Sequence, residues 1–385
     1  MDDFPAGPAS PGSRGPALSV VVPVRDGGGH LGRCLRGLRD STYTDFELIV
    51  VDDGSADDSA ALAAAAGARV IRHGSPLGPA AARNAGAEAA TAPIVFFLDA
   101  DVVVHPDALA RAVARLAADP TLAGLFGSYD DAPAAPGVVS RFRNLLHHYV
   151  HHQGDFVADA RPVRTFWTGC GAIRRRAFLD LGGFDPRRYR RPAIEDIELG
   201  YRLNRAGHRI VLARDVLAKH LKRWTLAKVV RTDIFQRGVP WTLLMLRSRV
   251  AESDLNVSRG QKLCVALTGL AILAILGSAW APAALGVSAA SVAAIVALNR
   301  DFYRFLARRG GRAFAAASVP LHLLYYVCCG LSVVLALAIW HIQDRRRWAR
   351  NQAEVGNPAR STAPPRHARR GSRPARSPRD RVPPG

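Results

Sequence analysis

Two aspartates follow a short apolar run near the start of the second hundred residues, in the stretch Phe96-Phe97-Leu98-Asp99-Ala100-Asp101. The β-branched and aromatic residues at 94–98 predict a strand that is buried on both faces of a parallel sheet. Such a strand delivers its last side chains to the carboxyl edge, where open α/β sheets bind ligands. Carboxylates of Asp99 and Asp101 at that edge could hold a divalent cation and, through it, a diphosphate. An isolated D-x-D is more often an ordinary acidic turn, so the signal depends on what accompanies it.

Four other residues carry chemistry at the ends of predicted elements. Asp53 follows an apolar strand, where its carboxylate could accept hydrogen bonds from a base or ribose, or equally form an Asx-turn or helix cap. Arg83 lies on a helix entered through a Gly-Pro pair, and a guanidinium in a groove suits phosphate, although a single Arg is ordinarily solvated. Glu195 and Asp196 fall in the first turn of a helix, where the helix dipole favours carboxylates. One of this pair is a candidate general base for an acceptor hydroxyl.

Strands and helices alternate through the first 118 residues. The predicted strands are 18–22, 46–51, 69–71 and 94–98, and a last strand is predicted at 209–217. The predicted helices are 30–38, 57–67, 78–90 and 106–118. This alternation predicts a parallel sheet with helices on both faces.

Composition separates the ends of the chain from its centre. Residues 1–17 are rich in Pro, Gly and Ser, are predicted to be disordered and lack the basic start and apolar run of a secretion signal. Residues 344–385 carry twelve Arg and three acidic residues, which is +9 of the chain's net +20, and are also predicted to be disordered. Five cysteines without framework spacing indicate reduced thiols and a cytosolic catalytic domain.

Seven motifs occur in an order and spacing that resemble a family 2 glycosyltransferase with the GT-A fold, of the membrane-anchored bacterial type. They are LSVVVPV (18–24), ELIVVDDGS (47–55), AARNAG (81–86), FFLDAD (96–101), GCGAIRR (169–175), GGFD (182–185) and EDIELGYRL (195–203). The resemblance covers roughly residues 18–245, within a predicted domain of 18–250. It implies an α/β, Rossmann-like fold with a mostly parallel sheet and helices on both faces, followed by transmembrane helices.

The resemblance also implies a reaction and a set of site residues. A hexosyltransferase-like enzyme of this kind takes a UDP- or GDP-sugar donor, uses Mn²⁺ or Mg²⁺ and inverts the anomeric carbon. By position, the nucleotide-sugar would contact Pro23, Val24, Asp53, Arg83 and Asp99. Asp101 would ligate the metal, with Asp99 at the ribose or the metal. Asp196 would be the catalytic base, and Glu195 beside it would bind the acceptor or have a supporting role.

The sequence departs from the family pattern at two places. Asp26 stands where Asn is frequent, which puts one loop contact in doubt. The two stretches that follow the predicted base and end in Trp, 219–224 and 236–241, do not match the Q-x-x-R-W motif of processive synthases, so we expect single transfers. His220 follows the last predicted strand and is a candidate for the metal or diphosphate, although a lone His is more often structural. Lys222 and Arg223 are weaker candidates for the diphosphate.

Two uncharged stretches near the C-terminus predict membrane helices within 261–343. Residues 263–298 suit one long span or a hairpin of two, and residues 313–342 form a second stretch, so two to three helices are expected. The basic linker 300–312 suits a cytoplasmic interface. Residues 224–249 form a candidate amphipathic helix at that interface, and the Arg-rich tail is expected to lie against anionic lipid.

These features predict a multi-pass protein of the cytoplasmic (inner) membrane with its catalytic domain in the cytoplasm. The acceptor would be a lipid, a polyprenyl phosphate or a glycan, in cell-envelope glycan synthesis. Two alternatives remain. A sugar nucleotidyltransferase would need a Lys after the Gly-rich loop at 26–29, and none follows. A basic membrane scaffold would leave the carboxylate clusters unexplained, and specific nucleic-acid binding is not expected, because aromatics do not interleave with the positive charge.

Overall fold

A computed structural model describes residues 15–248 and 258–355 of the chain, with side chains described as far as residue 343. The segments predicted to be disordered at the N-terminus and in the Arg-rich tail lie mostly outside these residues. The described backbone contradicts the tail prediction at 344–355, which is helical up to Val355. The physical reason is that no Gly or Pro interrupts this stretch before Gly356. The chain divides into two compact units, residues 1–337 and 338–385.

Within the described residues, nine strands form one sheet. In chain order they are β1 (Leu18–Val24), β2 (Phe46–Asp52), β3 (Arg69–Arg72), β4 (Ile94–Leu98), β5 (Val102–Val104), β6 (Leu122–Tyr129), β7 (Ala160–Val163), β8 (Cys170–Arg174) and β9 (Arg209–His220). Their order in the sheet is β3-β2-β1-β4-β8-β6-β9-β5, and β7 pairs with β9.

The sheet is mixed, with its parallel part in the first half of the chain. β3, β2, β1 and β4 are parallel neighbours, as the alternating pattern predicts. β8 pairs antiparallel with β4, so that Cys170 lies opposite Leu98. β8 therefore starts at the edge where β4 ends, and the residues just before β8 lie beside Asp99. The expectation of a mostly parallel sheet is accurate for β1 to β4 and does not extend to β5, β7 and β8.

Helices cover both faces of the sheet. Before β9 they are α1 (Gly28–Arg39), α2 (Ser59–Ala65), α3 (Pro79–Ala89), α4 (Ala108–Ala118), α5 (Val138–His151), α6 (Arg175–Asp180) and α7 (Glu195–Arg205). Alternate residues of β1 point to opposite faces: Val20 and Val22 pack in the cluster that contains α1, and Val21 packs in the cluster that contains α3. This period of two is the reason that a continuous apolar strand needs helices on both sides.

The segment after β9 is helical with one wide turn. α8 (Leu226–Arg231) runs into a π-helical turn (Thr232–Gly238), and α9 (Val239–Ser248) follows. The wide turn is seen in the hydrogen bond from the Val239 N–H to the Ile234 carbonyl, five residues back. The amphipathic helix predicted at 224–249 is thus three joined segments as far as residue 248.

Two of the remaining helices are long and apolar enough to cross a membrane. They are α10 (Arg259–Gly277) and the first part, Arg300–Gln343, of α12 (Arg300–Val355). Between them α11 (Ala284–Leu298) is shorter and packs on α10. The stretch 263–298 is therefore a helical hairpin rather than one long helix, with Pro282 in its turn. α12 contains a break at Gly311, where φ is +86°, so the predicted basic linker is the helical segment before that break.

Candidate active site

A polar cleft of about 220 Å³ opens at the edge of the sheet where β4 ends. Asp99 and Asp101 lie on one side of it and the start of α7, with Glu195 and Asp196, on the other. α5 and the segment 232–241 complete the walls. The structure thus brings the two predicted carboxylate pairs into a single site, although they are almost one hundred residues apart in the chain.

Arg83 joins the two carboxylate pairs. Its buried guanidinium donates to Asp99 Oδ1 at 2.7 Å and to Glu195 Oε1 at 2.8 Å. Burial alone would lower the pKa of Arg83, but the charges of Asp99 and Glu195 raise it, so the group stays a cation. The second oxygen of Glu195 accepts the Ala193 N–H at 3.0 Å. Glu195 is therefore fully engaged within the protein, which suits the supporting role and not that of a base.

Asp196 has weaker partners than Glu195 and a raised pKa. Its Oδ1 accepts the Ile197 N–H at 2.8 Å, and its Oδ2 accepts the N–H and hydroxyl of Thr168 at 3.3 and 3.4 Å. Burial and the neighbouring charge of Glu195 raise the pKa of Asp196 to about 6, against the opposing effect of Arg83. A carboxylate that titrates close to neutral pH and faces a cleft is well matched to general base catalysis.

Asp101 and His220 converge on the cleft from two different strand ends. Asp101 Oδ2 lies 3.6 Å from His220 Nε2, and His220 Nδ1 donates to Asn144 Oδ1 at 2.8 Å. With its proton on Nδ1, the imidazole presents the Nε2 lone pair beside the Asp101 carboxylate. His220 also stacks on Tyr129 with the rings 4.4 Å apart, which fixes the ring plane.

This pair fits a divalent cation. An imidazole held by a hydrogen bond through its other nitrogen is the usual arrangement of a metal-binding His, and Asp101 supplies a hard oxygen ligand. Among the described residues there is no group of three or more His, Cys, Asp or Glu side chains that could hold a metal. A cation here would therefore take its remaining ligands from substrate oxygens or water.

Asp53 holds the loop between β3 and α3. Its carboxylate accepts the N–H groups of Leu77 and Gly78 at 2.9 and 2.8 Å, and contacts His73 Nδ1 at 2.7 Å. Burial opposes ionisation, but these hydrogen bonds lower the pKa of Asp53, so it is a carboxylate at neutral pH. These are long-range contacts to the β3–α3 loop, not the local Asx-turn or helix cap that the sequence left as alternatives, and contact with the nucleotide stays a prediction.

The other predicted site residues divide between the cleft and its surroundings. Pro23 and Val24 end β1, and the Val24 carbonyl accepts the Asp53 N–H at 2.8 Å, so they lie beside Asp53. Lys222 lines the cleft, with its ammonium over the Trp224 ring. Arg223 is exposed and is not among the residues that line the cleft.

The Gly-rich loop is occupied by contacts within the protein. Its N–H groups at Asp26, Gly27 and Gly28 donate to side chains that follow β2, namely Ser55, Ser59 and Asp57. These donors are not available to cradle a phosphate. This observation counts against the nucleotidyltransferase alternative.

Several residues that line the cleft escaped the sequence reasoning. α5 contributes Arg143, Asn144, His147 and His151. Arg143, His147 and His151 follow one another at intervals of four residues, which marks one helical face and was a usable signal. The segment after β9 contributes Gln236, Arg237 and Trp241. The spacing of this stretch differs from Q-x-x-R-W, so the sequence predicts no site there. The structure nevertheless brings all three residues into the cleft.

All five cysteines lie within the described residues and are free, as their spacing predicted. Cys34 and Cys170 are buried beneath Asp99 and Asp101, and burial raises the pKa of both thiols. They are therefore packing residues and not nucleophiles.

Comparison with known proteins agrees with the fold and the motif order. Residues 19–182 match the family model described as glycosyl transferase family 2. The pre-mycofactocin glycosyltransferase of Mycobacterium tuberculosis is 32% identical over 240 residues, which is 61% of this chain and 48% of that protein. The validoxylamine A glucosyltransferase of Streptomyces hygroscopicus subsp. jinggangensis is 30% identical over 229 residues, which is 52% of this chain and 54% of that protein. The chain spans about half the length of these curated relatives.

A solved structure extends the likeness in fold. The mannosyltransferase PcManGT from Pyrobaculum calidifontis, solved in complex with GDP-Man and Mn²⁺, aligns with a TM-score of 0.50 at 18% identity. The alignment covers 84% of this chain and 88% of that one. At this identity the likeness concerns the fold alone. Taken with the motif order and the family match, these findings show that the chain carries a family 2 glycosyltransferase domain with the GT-A fold.

Proposed function

We propose that the chain is an inverting, metal-dependent glycosyltransferase that moves one sugar per encounter from a UDP- or GDP-sugar to a lipid or lipid-linked acceptor. The observation that carries this proposal is the contrast between Asp196 and Glu195 at the end of the Asp99–Asp101 cleft. Glu195 is held by Arg83 and a backbone N–H, whereas Asp196 has the raised pKa of a base. The family match of residues 19–182 supports the same reaction class.

The reaction follows from this arrangement. Asp196 takes the proton of the acceptor hydroxyl as its oxygen attacks C1 of the donor sugar. The new C1–O bond forms on the face opposite the departing phosphate oxygen, and the C1–O bond to the diphosphate breaks. One displacement inverts C1 without a covalent enzyme intermediate. Arg83 keeps Asp99 and Glu195 in place throughout, because it is bonded to both.

Asp101 and His220 are the residues that would hold the Mn²⁺ or Mg²⁺ ion. Bound there, a divalent cation would neutralise negative charge on the departing nucleoside diphosphate. Lys222 lines the same cleft and can add a positive charge next to that group.

The apolar surface of the C-terminal helices supports a lipid-borne acceptor and a place in the cytoplasmic membrane. Large apolar side chains of α10 and the following turn are exposed, including Leu273, Leu276 and Trp280. Exposed apolar area of this kind marks a membrane or protein contact. We place the catalytic domain on the cytoplasmic side, because the linker that precedes the break in α12 is rich in Arg.

Nucleoside diphosphate release by the detergent-purified protein tests this function. The assay uses a panel of UDP- and GDP-sugars with Mn²⁺ or Mg²⁺ and a membrane lipid extract as the acceptor. We expect release with one donor that requires metal, lipid and Asp196, so that Asp196→Asn is inactive. Asp180→Asn is the matched control, because Asp180 is an exposed carboxylate on α6. Full activity on a water-soluble acceptor with none on lipid would overturn the lipid assignment.

A further inference from the structure

A second cavity of about 360 Å³ adjoins the catalytic cleft. Much of its wall is apolar and aromatic and comes from α9, α10 and α12, through the residues Met245, Val265, Tyr325, Tyr326, Cys329 and Val333. We call this space the apolar cavity. α10 and the first part of α12 are the helices that are long and apolar enough to cross a membrane. The apolar cavity therefore lies between the catalytic domain and the predicted membrane part.

Four residues line both the apolar cavity and the catalytic cleft. They are Arg143, His147, Arg237 and Trp241. A molecule whose apolar part filled the cavity would pass these side chains before it reached Asp196. The chemistry of this shared wall therefore indicates which polar group follows the apolar part.

The two arginines of the shared wall differ in their partners. Arg143 makes a two-point ion pair with the buried Asp233 carboxylate, so its charge is neutralised within the protein. For Arg237 no hydrogen bond and no ion pair is found among residues 15–248 and 258–343. Burial and the nearby Arg143 lower the pKa of Arg237, and the charges of Asp233, Tyr129 and Asp196 oppose this effect only in part. An anion bound here would supply the direct partner that Arg237 lacks.

His147, the neighbouring histidine of the shared wall, adds a second polar group without a partner among the described residues. His147 Nδ1 is buried and has no hydrogen-bond partner. Burial holds the pKa of His147 well below its usual range, so the ring is neutral and offers one donor and one acceptor. The shared wall thus presents one cation and one neutral polar ring to whatever lies between the two cavities.

Resting on the proposed function, we infer that the acceptor is a lipid whose apolar chain is joined through a phosphate to a hydroxyl-bearing headgroup. The chain occupies the apolar cavity, the phosphate binds Arg237, and the headgroup hydroxyl reaches Asp196. Guanidinium binds phosphate through charge-assisted hydrogen bonds. A hydroxyl nucleophile also accounts for a base in the cleft, because a phosphate oxygen that is already ionised would not need one.

Binding measurements without any donor test this inference. Calorimetry in detergent compares three probes: dioctanoyl phosphatidylglycerol, dioctanoylglycerol, which lacks the phosphate, and glycerol 1-phosphate, which lacks the chains. We expect the wild-type protein to bind dioctanoyl phosphatidylglycerol at least about tenfold more tightly than either of the other probes. Dioctanoylglycerol cannot make the charged hydrogen bond to Arg237, and glycerol 1-phosphate has no chains to fill the apolar cavity. In Arg237→Gln the advantage of the phosphate should disappear, and in Arg237→Lys part of it should remain. Arg231→Gln, which removes an exposed charge from the same segment, should bind like wild type.

A second pair of variants tests the place of the chain. Val265→Trp fills the apolar cavity and should weaken binding of both lipids, whereas Leu273→Trp alters an exposed position on the same helix and should not. Equal binding of the two lipids to the wild type, or undetectable binding of both, would overturn the inference. Weaker binding of UDP or GDP by Arg237→Gln with unchanged lipid binding would instead assign Arg237 to the donor. None of these results depends on transfer, so a failure of the proposed reaction would be seen separately in the release assay.

Discussion

Asp196 and Glu195 are adjacent in the chain, yet their carboxyls occupy different electrostatic surroundings. Arg83 neutralises Glu195 directly, whereas within the described part of the chain Asp196 accepts only the Ile197 N–H at 2.8 Å and two long hydrogen bonds from Thr168. Burial and the charge of Glu195 raise the pKa of Asp196 to about 6. A carboxyl with a raised pKa in a cleft is a candidate acid–base group, which supports the proposed role of Asp196 as the base.

The first prediction concerns the pH dependence of transfer. Asp196 is active as the ionised base, and its pKa is raised to about 6, so kcat/KM should rise as pH increases through about 6 and then level off. Asp196→Asn should lower kcat by about 10²–10⁴-fold and leave donor binding largely unchanged. Initial rates between pH 5 and 8, with calorimetry of the donor, measure both. A rate that is flat across this range would contradict the assignment.

The raised pKa of Asp196 also predicts how the stability of the protein depends on pH, which is an independent control. Because the folded-state pKa of Asp196 is above its ordinary value, the protonated form favours folding at low pH, and that contribution is lost as pH rises through about 6. Asp196→Asn should therefore raise Tm relative to wild type at pH 8, and the difference should shrink towards pH 5. Thermal melts at the two pH values test this without any substrate.

The second prediction concerns Asn144, which orients His220. Its side-chain oxygen accepts a hydrogen bond from His220 Nδ1. Asn144→Leu removes this bond, so the proton is no longer held on Nδ1, and Mn²⁺ binding should weaken by about 10–100-fold. Electron paramagnetic resonance of Mn²⁺ in the presence of UDP or GDP measures this directly. Asn204→Leu, which removes hydrogen bonds to backbone carbonyls at Arg164 and Gly200, is the control. Equal Mn²⁺ affinities of wild type and Asn144→Leu would contradict the proposed metal site.

At the scale of single residues, the sequence could indicate which carboxylates come together but not what holds them. Asp99, Asp101 and Asp196 line one cleft, and their roles stay predictions. The bridge from Arg83 to both Asp99 and Glu195 joins positions that are 16 and 112 residues apart, and no local pattern encodes such a separation. Asn144 was missed for the same reason, since its role exists only once α5 is packed against β9.

Among the elements, α3 depends on a glycine at its contact with the sheet. A Cβ at Gly86 would lie 2.3 Å from a methyl carbon of Val21 in β1. The β-branched Val21 has little rotamer freedom, so α3 would have to move away. α3 also carries Arg83, and its displacement would strain both carboxylate contacts.

The third prediction compares two glycine-to-alanine changes in helices. Gly86→Ala should destabilise the protein by about 1–3 kcal/mol through overpacking. Gly32→Ala on α1, whose Cβ would meet its nearest neighbour at an ordinary 3.5 Å, should instead stabilise by about 0.5–1 kcal/mol, because alanine restricts the unfolded chain. Thermal melts of the two variants in detergent should shift in opposite directions. A neutral Gly86→Ala would show that α3 can relax.

The strands β1, β2 and β4 and the helices α1 to α4 were predictable, because these strands are mainly apolar and each of these helices is bounded by Gly, Pro or Asp. The later strands β6 and β7 give weaker signals. β7 is the four-residue run Ala160–Val163 and contains Pro162, a residue that ordinarily argues against a strand. β6 contains Gly124 and Gly127, and a Cβ at Gly127 would lie 2.0 Å from the Val216 carbonyl oxygen. Close packing against β9 overrides the low strand propensity of glycine there.

At the scale of the whole molecule, α10 and the first part of α12 are long and apolar enough to cross a membrane. Only 22% of the most apolar window of each helix is buried within the protein, so most of that surface needs a different apolar environment. A packed core helix would be covered by the protein itself.

The fourth prediction tests this surface. Leu273 and Leu276 are 67% and 62% exposed on α10, and replacing both with Arg should cost roughly 2–3 kcal/mol each if they face lipid. The wild-type chain should stay in the membrane pellet after alkaline carbonate extraction, and the double variant should be depleted from it. Leu62→Arg on α2, an exposed position of the catalytic domain, should partition like wild type. Complete extraction of the wild type would contradict a membrane-spanning helix.

The π-helical turn at 232–238 also bears on how related chains should be aligned. Each residue of an α-helix advances by about 100°, so one residue more or less in this segment rotates everything after it by that angle. Gln236 and Trp241 both line the cleft although they are five residues apart, one more than the four of a Q-x-x-R-W motif. A gap-free alignment across this segment would therefore pair side chains whose directions differ by about 100°. A single-residue deletion in this segment is better regarded as a rotation of the cleft wall than as a shortened loop.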